Sequence, residues 1–432
     1  MGDVAFARGQ MALSLGFHIV FAAIGIALPL FMVLAEWRFL RTRDAQWLAL
    51  AKAWAKGTAI LFAVGAVSGT VLSFELGLLW PGFMRDSGAL VGLPFSLEGF
   101  AFFTEAIFLG IYLYGWERVS PRAHLLAGVA VAVSGALSAI FVVDVNAWMN
   151  TPTGFGATLT TDVDPIAAML NPAAAHEIAH MLVAAYAASA FAAAGVHAWL
   201  LARDRKSGLH RRALGLLLVV AGISTVLLLV TGDHAAKEVA RLQPAKLAAM
   251  EGHYRTARGV PLLVGGYADD ARHETRYALP IPDGLSLLAF GDPHAEVRGL
   301  DDFRDKPPTA IVHLAFDTMV GAGSTMLALS ALLAFVACRK RGLPDSPRLL
   351  RAIVLCSPLG FVALEAGWTV TEVGRQPWVV YGVLRTADTV TPMPGLVVPF
   401  TTFALVYVLL SIAVVHLLRR QFVATLAKGA DA

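Results

Sequence analysis

His176 and His180 stand four residues apart with a carboxylate between them, in the stretch His176-Glu177-Ile178-Ala179-His180. Residues i and i+4 share a helix face, so two imidazoles at this spacing can grip a zinc ion while Glu177 acts as general base, as in helical metalloproteases. A second chemistry is open to the same region. A low-spin haem iron takes two axial ligands, commonly His with His or Met; a high-spin haem takes one and leaves a position for oxygen. His180 with Met319 can supply the first set, and His18 and Glu365 can each supply a single ligand. Glu98 and Glu105, seven apart, face one side of a helix as a paired structural site or a proton wire. Taken singly, His18 reads as a helix-to-helix hydrogen bond and Met319 as core filler. Zinc needs a third ligand. The nearest candidate, Asp283, lies in a polar stretch, and zinc leaves His18, Met319 and Glu365 without a role.

The elements that must position these residues are apolar. Of 432 residues, 57% are hydrophobic and 15% charged, against about 25% charged in an ordinary soluble domain. That excludes a typical soluble enzyme and a disordered chain. Two cysteines are too few for a disulfide scaffold; Cys338 and Cys356 flank a basic loop and read as inert thiols. The basic residues sit in short clusters between apolar blocks, which argues against nucleic-acid binding. No Cys-x-x-Cys-His occurs, so any haem is held without thioether bonds.

Nine blocks are long enough to cross about 30 Å of hydrocarbon: 9–36, 57–80, 94–117, 125–149, 176–201, 213–231, 309–337, 350–372 and 394–418. The fold class expected is all-α, a polytopic bundle of nine transmembrane helices. The first block is too long for a signal peptide's apolar core and lacks a basic start, so it belongs to the bundle. The chain divides into residues 1–231 with six helices, an outer segment 232–308, and residues 309–432 with three helices and a tail. The middle segment carries ten basic and twelve acidic residues with scattered aromatics (Tyr254, Tyr267, Tyr277, Phe290, Phe303), a composition that suits a small folded element. No internal repeat is present.

Lys and Arg set the orientation. They number 5, 2, 5 and 5 after the first, third, fifth and seventh blocks, and 3 (Arg419, Arg420, Lys428) in the tail. The short segments on the other side hold only Arg8, Arg85, Arg375 and Arg385. The positive-inside rule then predicts an outside N-terminus and a cytoplasmic C-terminus. His18, Glu98, Glu105, His180, Asp317 and Met319 fall in or near the outer half, and Asp144 and Glu365 near outer helix ends. An ionisable group in a span costs roughly 2.5–3.5 kcal/mol unless it is paired or functional. Their gathering in one layer under segment 232–308 points to a site. Gly65 and Gly69 read as a helix contact; His197 and His416, near cytoplasmic ends, read as interfacial.

Several blocks resemble subunit I of the cytochrome bd family of quinol oxidases. They are Glu98-Gly99-Phe100-Ala101-Phe102-Phe103-Thr104-Glu105 with Gly115-Trp116-Glu117-Arg118, Asn146-Ala147-Trp148-Met149-Asn150-Thr151-Pro152, Lys246-Leu247-Ala248-Ala249-Met250-Glu251, Met319-Val320-Gly321, Glu365-Ala366-Gly367-Trp368 and Gly374-Arg375-Gln376-Pro377-Trp378. The resemblance covers nearly the whole chain. It implies that His180 and Met319 are axial ligands of a low-spin haem b. It implies that His18 and Glu365 each serve a high-spin haem, one a haem b and the other a haem d or a third haem b. Glu98 and Glu105 match carboxylates of proton delivery, Lys246 and Glu251 match residues tied to quinol binding, and Arg375 is a candidate haem-propionate partner, the other reading being an interfacial anchor. Five residues on a helix put Lys246 and Glu251 about 140° apart, so spacing alone would not pair them.

The family further implies a second membrane subunit (subunit II), a small single-span subunit, quinol (ubiquinol or menaquinol) and O2 as substrates, and residence in the bacterial cytoplasmic membrane. Quinol oxidation at the outer face and reduction of O2 to water would build a proton motive force without pumping. The sequence departs from the familiar long-loop members. Asp317 stands where they carry Arg two residues before the ligating Met, the two carboxylates of the third span are one residue closer, and the outer loop is the short form. These traits are similar to the cyanide-insensitive branch. An intramembrane zinc metalloprotease is the alternative.

Overall fold

Every apolar block folds as helix. The computed structural model describes residues 2–430, with side chains through Gln421, so the side chain of Lys428 lies outside the described residues. In chain order the first elements are α1 (Gly2–Thr42), α2 (Ala45–Leu79), α3 (Pro81–Tyr114), α4 (Pro121–Asn150), the short α5 (Pro165–Met169), α6 (Ala174–Arg203) and α7 (Gly208–Leu242). Segment 232–308 holds α8 (Pro244–Met250), strands β1 (Ala257–Arg258), β2 (Leu262–Val264), β3 (Tyr267–Asp269), β4 (Glu274–Arg276) and β5 (Leu279–Ile281), α9 (Gly284–Phe290) and β6 (Glu296–Val297). Then follow α10 (Thr309–Lys340), α11 (Pro347–Cys356), α12 (Leu359–Val373), β7 (Trp378–Val380), β8 (Leu384–Arg385) and α13 (Val397–Ala430). Among the described residues, nine helical spans are long and apolar enough to cross a membrane, with α11 and α12 together forming the eighth. The described residues are helical in their regular structure apart from four two-stranded antiparallel ladders.

Helix ends differ from the block ends for identifiable reasons. The third block predicts a start at Pro94, yet α3 begins at Pro81 and carries Pro94 inside it. Pro81 sits in the first turn, where its missing N–H would have no partner anyway, and one interior proline is tolerated within a packed bundle. The eighth span is interrupted at Ser357-Pro358, which separates α11 from α12. At the other extreme, α7 continues through polar residues to Leu242, so the start of segment 232–308 is helix rather than loop. Asp44, Ser120, Ser207 and Ser346 cap α2, α4, α7 and α11 through backbone amides of the first turn.

Close packing of small residues holds the central helices. In α6, Ala185, Ala187, Ala188, Ala190, Ala194 and Ala198 are buried. A Cβ added at Gly360 of α12 would meet the Cα of Ala188 at 2.4 Å, so only glycine permits this approach of α12 to α6.

Segment 232–308 is a folded element. Leu247, Val260, Leu285, Ala289 and Val297 close over Ala240 at the end of α7. Ala248, Met250, Tyr254, Ala268 and Leu300 close over Val312 of α10 and Val370 of α12. Two apolar seams thus clamp the segment on α7, α10 and α12.

Candidate functional site

A cavity of about 530 Å³ opens among α1, α2, α3, α4 and α12. Its walls include His18, Glu98, Glu105, Asn146, Glu372 and Arg375, which lie far apart in sequence. Glu98 and Glu105 share one face of α3, Glu372 lies in the last turn of α12, and Arg375 follows just past its end. Asp144, which the depth argument placed in the same layer, and Glu75, a second ionisable group inside a span, are absent from these walls. Asp144 accepts from Asn171 at 3.2 Å, and Glu75 accepts from Gln10 and Ser14 at 2.8 Å each.

His18 Nδ1 lies 2.9 Å from the Ser68 hydroxyl, and that hydroxyl donates to the Val64 carbonyl at 3.0 Å. A serine has one proton to give, so the imidazole must be the donor at Nδ1. Its Nε2 then carries a free lone pair. The same logic recurs 162 residues later in the sequence. His180 Nδ1 lies 3.1 Å from Thr231 Oγ1, whose proton goes to the Leu227 carbonyl at 3.0 Å. Each hydroxyl is followed by a glycine that leaves room for the ring. A Cβ at Gly69 would meet His18 Cε1 at 3.0 Å, and one at Gly232 would meet His180 Cε1 at 3.4 Å. Gly69 thus does more than make the helix contact expected of it. Neutral imidazoles oriented through Nδ1, with Nε2 bare, are what metal ligation requires.

Met319 on α10 presents its sulfur towards α12, where a Cβ at Gly367 would meet it at 3.1 Å. His180 and Met319 belong to α6 and α10, and both helices pack against α7 and α12.

Arg375 is 1% exposed, which removes the reading of an interfacial anchor. Its Nη2 donates to Glu372 at 2.7 Å and its Nη1 to Asn150 at 3.4 Å, while Nε is buried without a partner among the described residues. A buried, part-satisfied guanidinium on a cavity wall fits an anionic group such as a haem propionate. Glu372 also accepts from Asn146. Of the two carboxylates of the eighth span, Glu372 and not Glu365 lines the cavity. Glu365 faces α1, where a Cβ at Gly16 would stand 3.3 Å from its Oε2, and its Oε1 is buried and unpartnered. Glu98 accepts from Ser138 at 3.1 Å, and the buried Glu105 lies against Gly135.

Lys246 and Glu251 face different neighbours, as their angular separation predicts. Lys246 is 3% exposed and donates to Asn150 Oδ1 at 2.8 Å. Burial holds its amine well below the usual lysine range, and Glu177 opposes that shift. Glu251 is 6% exposed and sits near Asp317. Burial pushes its carboxyl up to about 8, with the Asp317 charge adding to the effect. Asp317 in turn lies 3.5 Å from His313 Nε2, and His313 Nδ1 donates to the Met250 carbonyl at 2.7 Å.

The zinc reading finds no support. Glu177 accepts from Asn150 at 2.8 Å, and the His176 ring lies beside that of His234. Among the described residues, no three His, Cys, Asp or Glu side chains are grouped so as to hold a metal ion. His197, expected at the interface, is instead buried between Trp54 and His210, with ring nitrogens 3.3 and 3.1 Å from theirs. His416 is exposed.

A family model described as cytochrome bd terminal oxidase subunit I matches residues 6–426. The chain belongs to this family. It is 37% identical to a Bacillus subtilis (strain 168) protein provisionally named cytochrome bd menaquinol oxidase subunit I, over 98% of this chain and 97% of that one. It is 30% identical to cytochrome bd ubiquinol oxidase subunit 1 of the same strain, over 100% of this chain and 95% of that one. The structure of bd oxidase from Geobacillus thermodenitrificans superposes with a TM-score of 0.92 at 39% identity, covering 97% of this chain and 98% of that one. Membership makes this chain a multi-pass membrane haem protein of a terminal respiratory oxidase, and the expected fold class stands.

Ser68, Thr231 and Asn150 were not singled out by residue type. A hydroxyl or amide within an apolar helix is common, and only its neighbour across the bundle reveals a role. Glu372 carried a signal, being an ionisable group inside a span.

Proposed function

We propose that this chain is the haem-bearing subunit of a quinol:O2 oxidoreductase, with quinol oxidised at the outer face and O2 reduced to water in the cavity region. The observation that carries the reading is the paired arrangement of His18 and His180, each with Nε2 bare and Nδ1 donated to a hydroxyl. Bound haems would supply the electron path and the oxygen-binding position. His180 and Met319 are proposed to hold a low-spin haem b and His18 a high-spin haem, with Arg375 at a propionate. For the carboxylate of the other high-spin haem, b or d, Glu365 offers an unpartnered buried oxygen and Glu372 a place on the cavity wall. Glu365→Gln and Glu372→Gln, compared by high-spin absorbance, identify which of them serves.

The remaining steps belong to the chain's own side chains. Lys246 and Glu251 are proposed to receive quinol, with Glu251 accepting a proton as the quinol is oxidised. Glu98 and Glu105 hold protons close to the cavity, where charge added in low dielectric needs compensation. The proposed orientation, with the N-terminus outside, releases quinol protons outward and draws the protons for water from the cytoplasm. Subunit II and a small single-span subunit are proposed as companions. The outward face of α2 and α3 (Phe74, Leu78, Phe100, Phe103, Ile107) is a surface a companion helix would cover.

A pyridine haemochrome spectrum of the purified protein tests the reading. Haem b, with or without haem d, supports it, and a preparation without haem overturns it. Two further outcomes are expected. Ser68→Ala and Thr231→Val remove the acceptor that orients each ligating imidazole. Loss of such a partner typically costs 10–100-fold in metal-site affinity or activity, so haem retention should fall by about that factor for the matching haem only. Serine and threonine exchanged for each other at these sites should retain it.

The second outcome concerns pH. Below about pH 8 Glu251 is a neutral carboxyl and cannot take a proton from quinol; above it the carboxylate can. Quinol oxidation should therefore rise with pH through about 8, and Glu251→Gln should flatten that limb. Steady-state rates across this range, with haem content held equal, check the sign.

A further inference from the structure

Asn150, the last residue of α4, is fully buried. Its Nδ2 donates to Glu177 Oε1 at 2.8 Å. Its Oδ1 accepts from Lys246 Nζ at 2.8 Å, from Gln243 Nε2 at 3.3 Å and from Arg375 Nη1 at 3.4 Å. One amide thus meets a carboxylate of α6, a cation of the outer segment and the guanidinium on the cavity wall. Its orientation is dictated by its partners, because Glu177 can only accept when ionised and the lysine and arginine can only donate. The amide joins the segment proposed to receive quinol to a residue of the cavity wall. Lys246 reaches it by a side chain that lies along Gly374, where an added Cβ would meet the lysine Cγ at 3.0 Å.

We infer that Asn150 is a positioning residue for quinol oxidation: its carbonyl oxygen, shared between Lys246 and Arg375, fixes the lysine amine against the haem cavity. This rests on the quinol-oxidase reading above. The physical reason is donor–acceptor matching. Without the amide, the Lys246 ammonium has no acceptor at this point and the Glu177 carboxylate loses a donor, both in a site closed to water. A flexible lysine would then sample several positions instead of one.

The test uses the complete oxidase in membranes or detergent with a short-chain quinol as substrate. Asn150→Leu removes both hydrogen-bonding functions. The KM for quinol should rise on the order of tenfold, the size expected for one charge-assisted hydrogen bond, with kcat changed less and the reduced-minus-oxidised haem spectrum retained. Asn150→Asp keeps the acceptor for Lys246 but sets a carboxylate against Glu177, so it should also raise KM. Asn150→Asp combined with Glu177→Gln reverses the donor and the acceptor across this contact and restores the match. This pair should bring KM back towards the wild-type value. An unchanged KM in Asn150→Leu overturns the inference. So does a double variant no better than Asn150→Asp, or haem loss in parallel with activity in all three, which marks a purely structural role. Absence of quinol oxidation by the wild-type oxidase would instead overturn the functional reading itself.

Discussion

His180→Ala or Met319→Leu should abolish the low-spin haem absorbance while leaving the high-spin bands in place. Removing an outer partner of a metal ligand typically costs 10–100-fold, so removing the ligand itself should lower quinol-dependent oxygen uptake by more than about 100-fold. The selectivity follows from the fold. His180 and Met319 stand on α6 and α10 and pack with α7 and α12, and neither lines the cavity that holds His18, although the adjacent Met181 does. Low-spin absorbance surviving both substitutions would show that other side chains hold that iron. Loss of all haem bands together would show that the two sites are not separable.

Arg375→Leu is the second large effect. The guanidinium is 1% exposed and pairs with Glu372 at 2.7 Å. Removing the guanidinium takes a charge-assisted hydrogen bond from a Glu372 side chain that is 29% exposed, a loss of about 1.5–3 kcal/mol. Any anionic haem edge held by Arg375 would lose its counter-charge as well, so haem per protein should drop along with thermal stability in detergent. Arg375→Lys should not restore either quantity, because an ammonium cannot reproduce the fork that reaches Glu372 and Asn150 together. Adding Glu372→Gln to Arg375→Leu removes the stranded carboxylate and should recover part of the stability but not the haem. Full haem content in Arg375→Leu would end the assignment of this residue to a propionate.

The legible part of the site came from residues that are costly in a membrane. His18, Glu98 and Glu105 drew notice because an apolar span has no ordinary use for them, and the bundle does bring them to one cavity. Asp144 and Glu75 carried the same signal and stand elsewhere, each hydrogen-bonded to neighbouring amides or hydroxyls. Cost alone does not separate a functional group from a well-partnered one, since both satisfy the same electrostatic demand. Glu365 and Glu372 could not be ranked for a related reason. Seven residues apart, they share a helix face, and only the packing of α12 against α1 decides which one reaches the cavity. Ser68 and Thr231 gave no signal, and Asn150 none beyond its place in a family block, because their roles exist only through partners at least 27 residues distant in sequence, such as Glu177 for Asn150.

By itself the order of amino acids determined that this chain is a bundle of membrane-crossing helices, because long apolar runs can satisfy their backbone groups in lipid only by internal hydrogen bonding. It also determined the family, through blocks spread over nearly the full length. The tertiary structure alone decided where α3 begins and where the eighth span breaks. It decided that Arg375 is buried rather than interfacial, and that two histidines present bare Nε2 atoms. Those outcomes depend on which helix faces meet, and hydrophobicity constrains that only weakly, because lipid is as apolar as the faces it competes with.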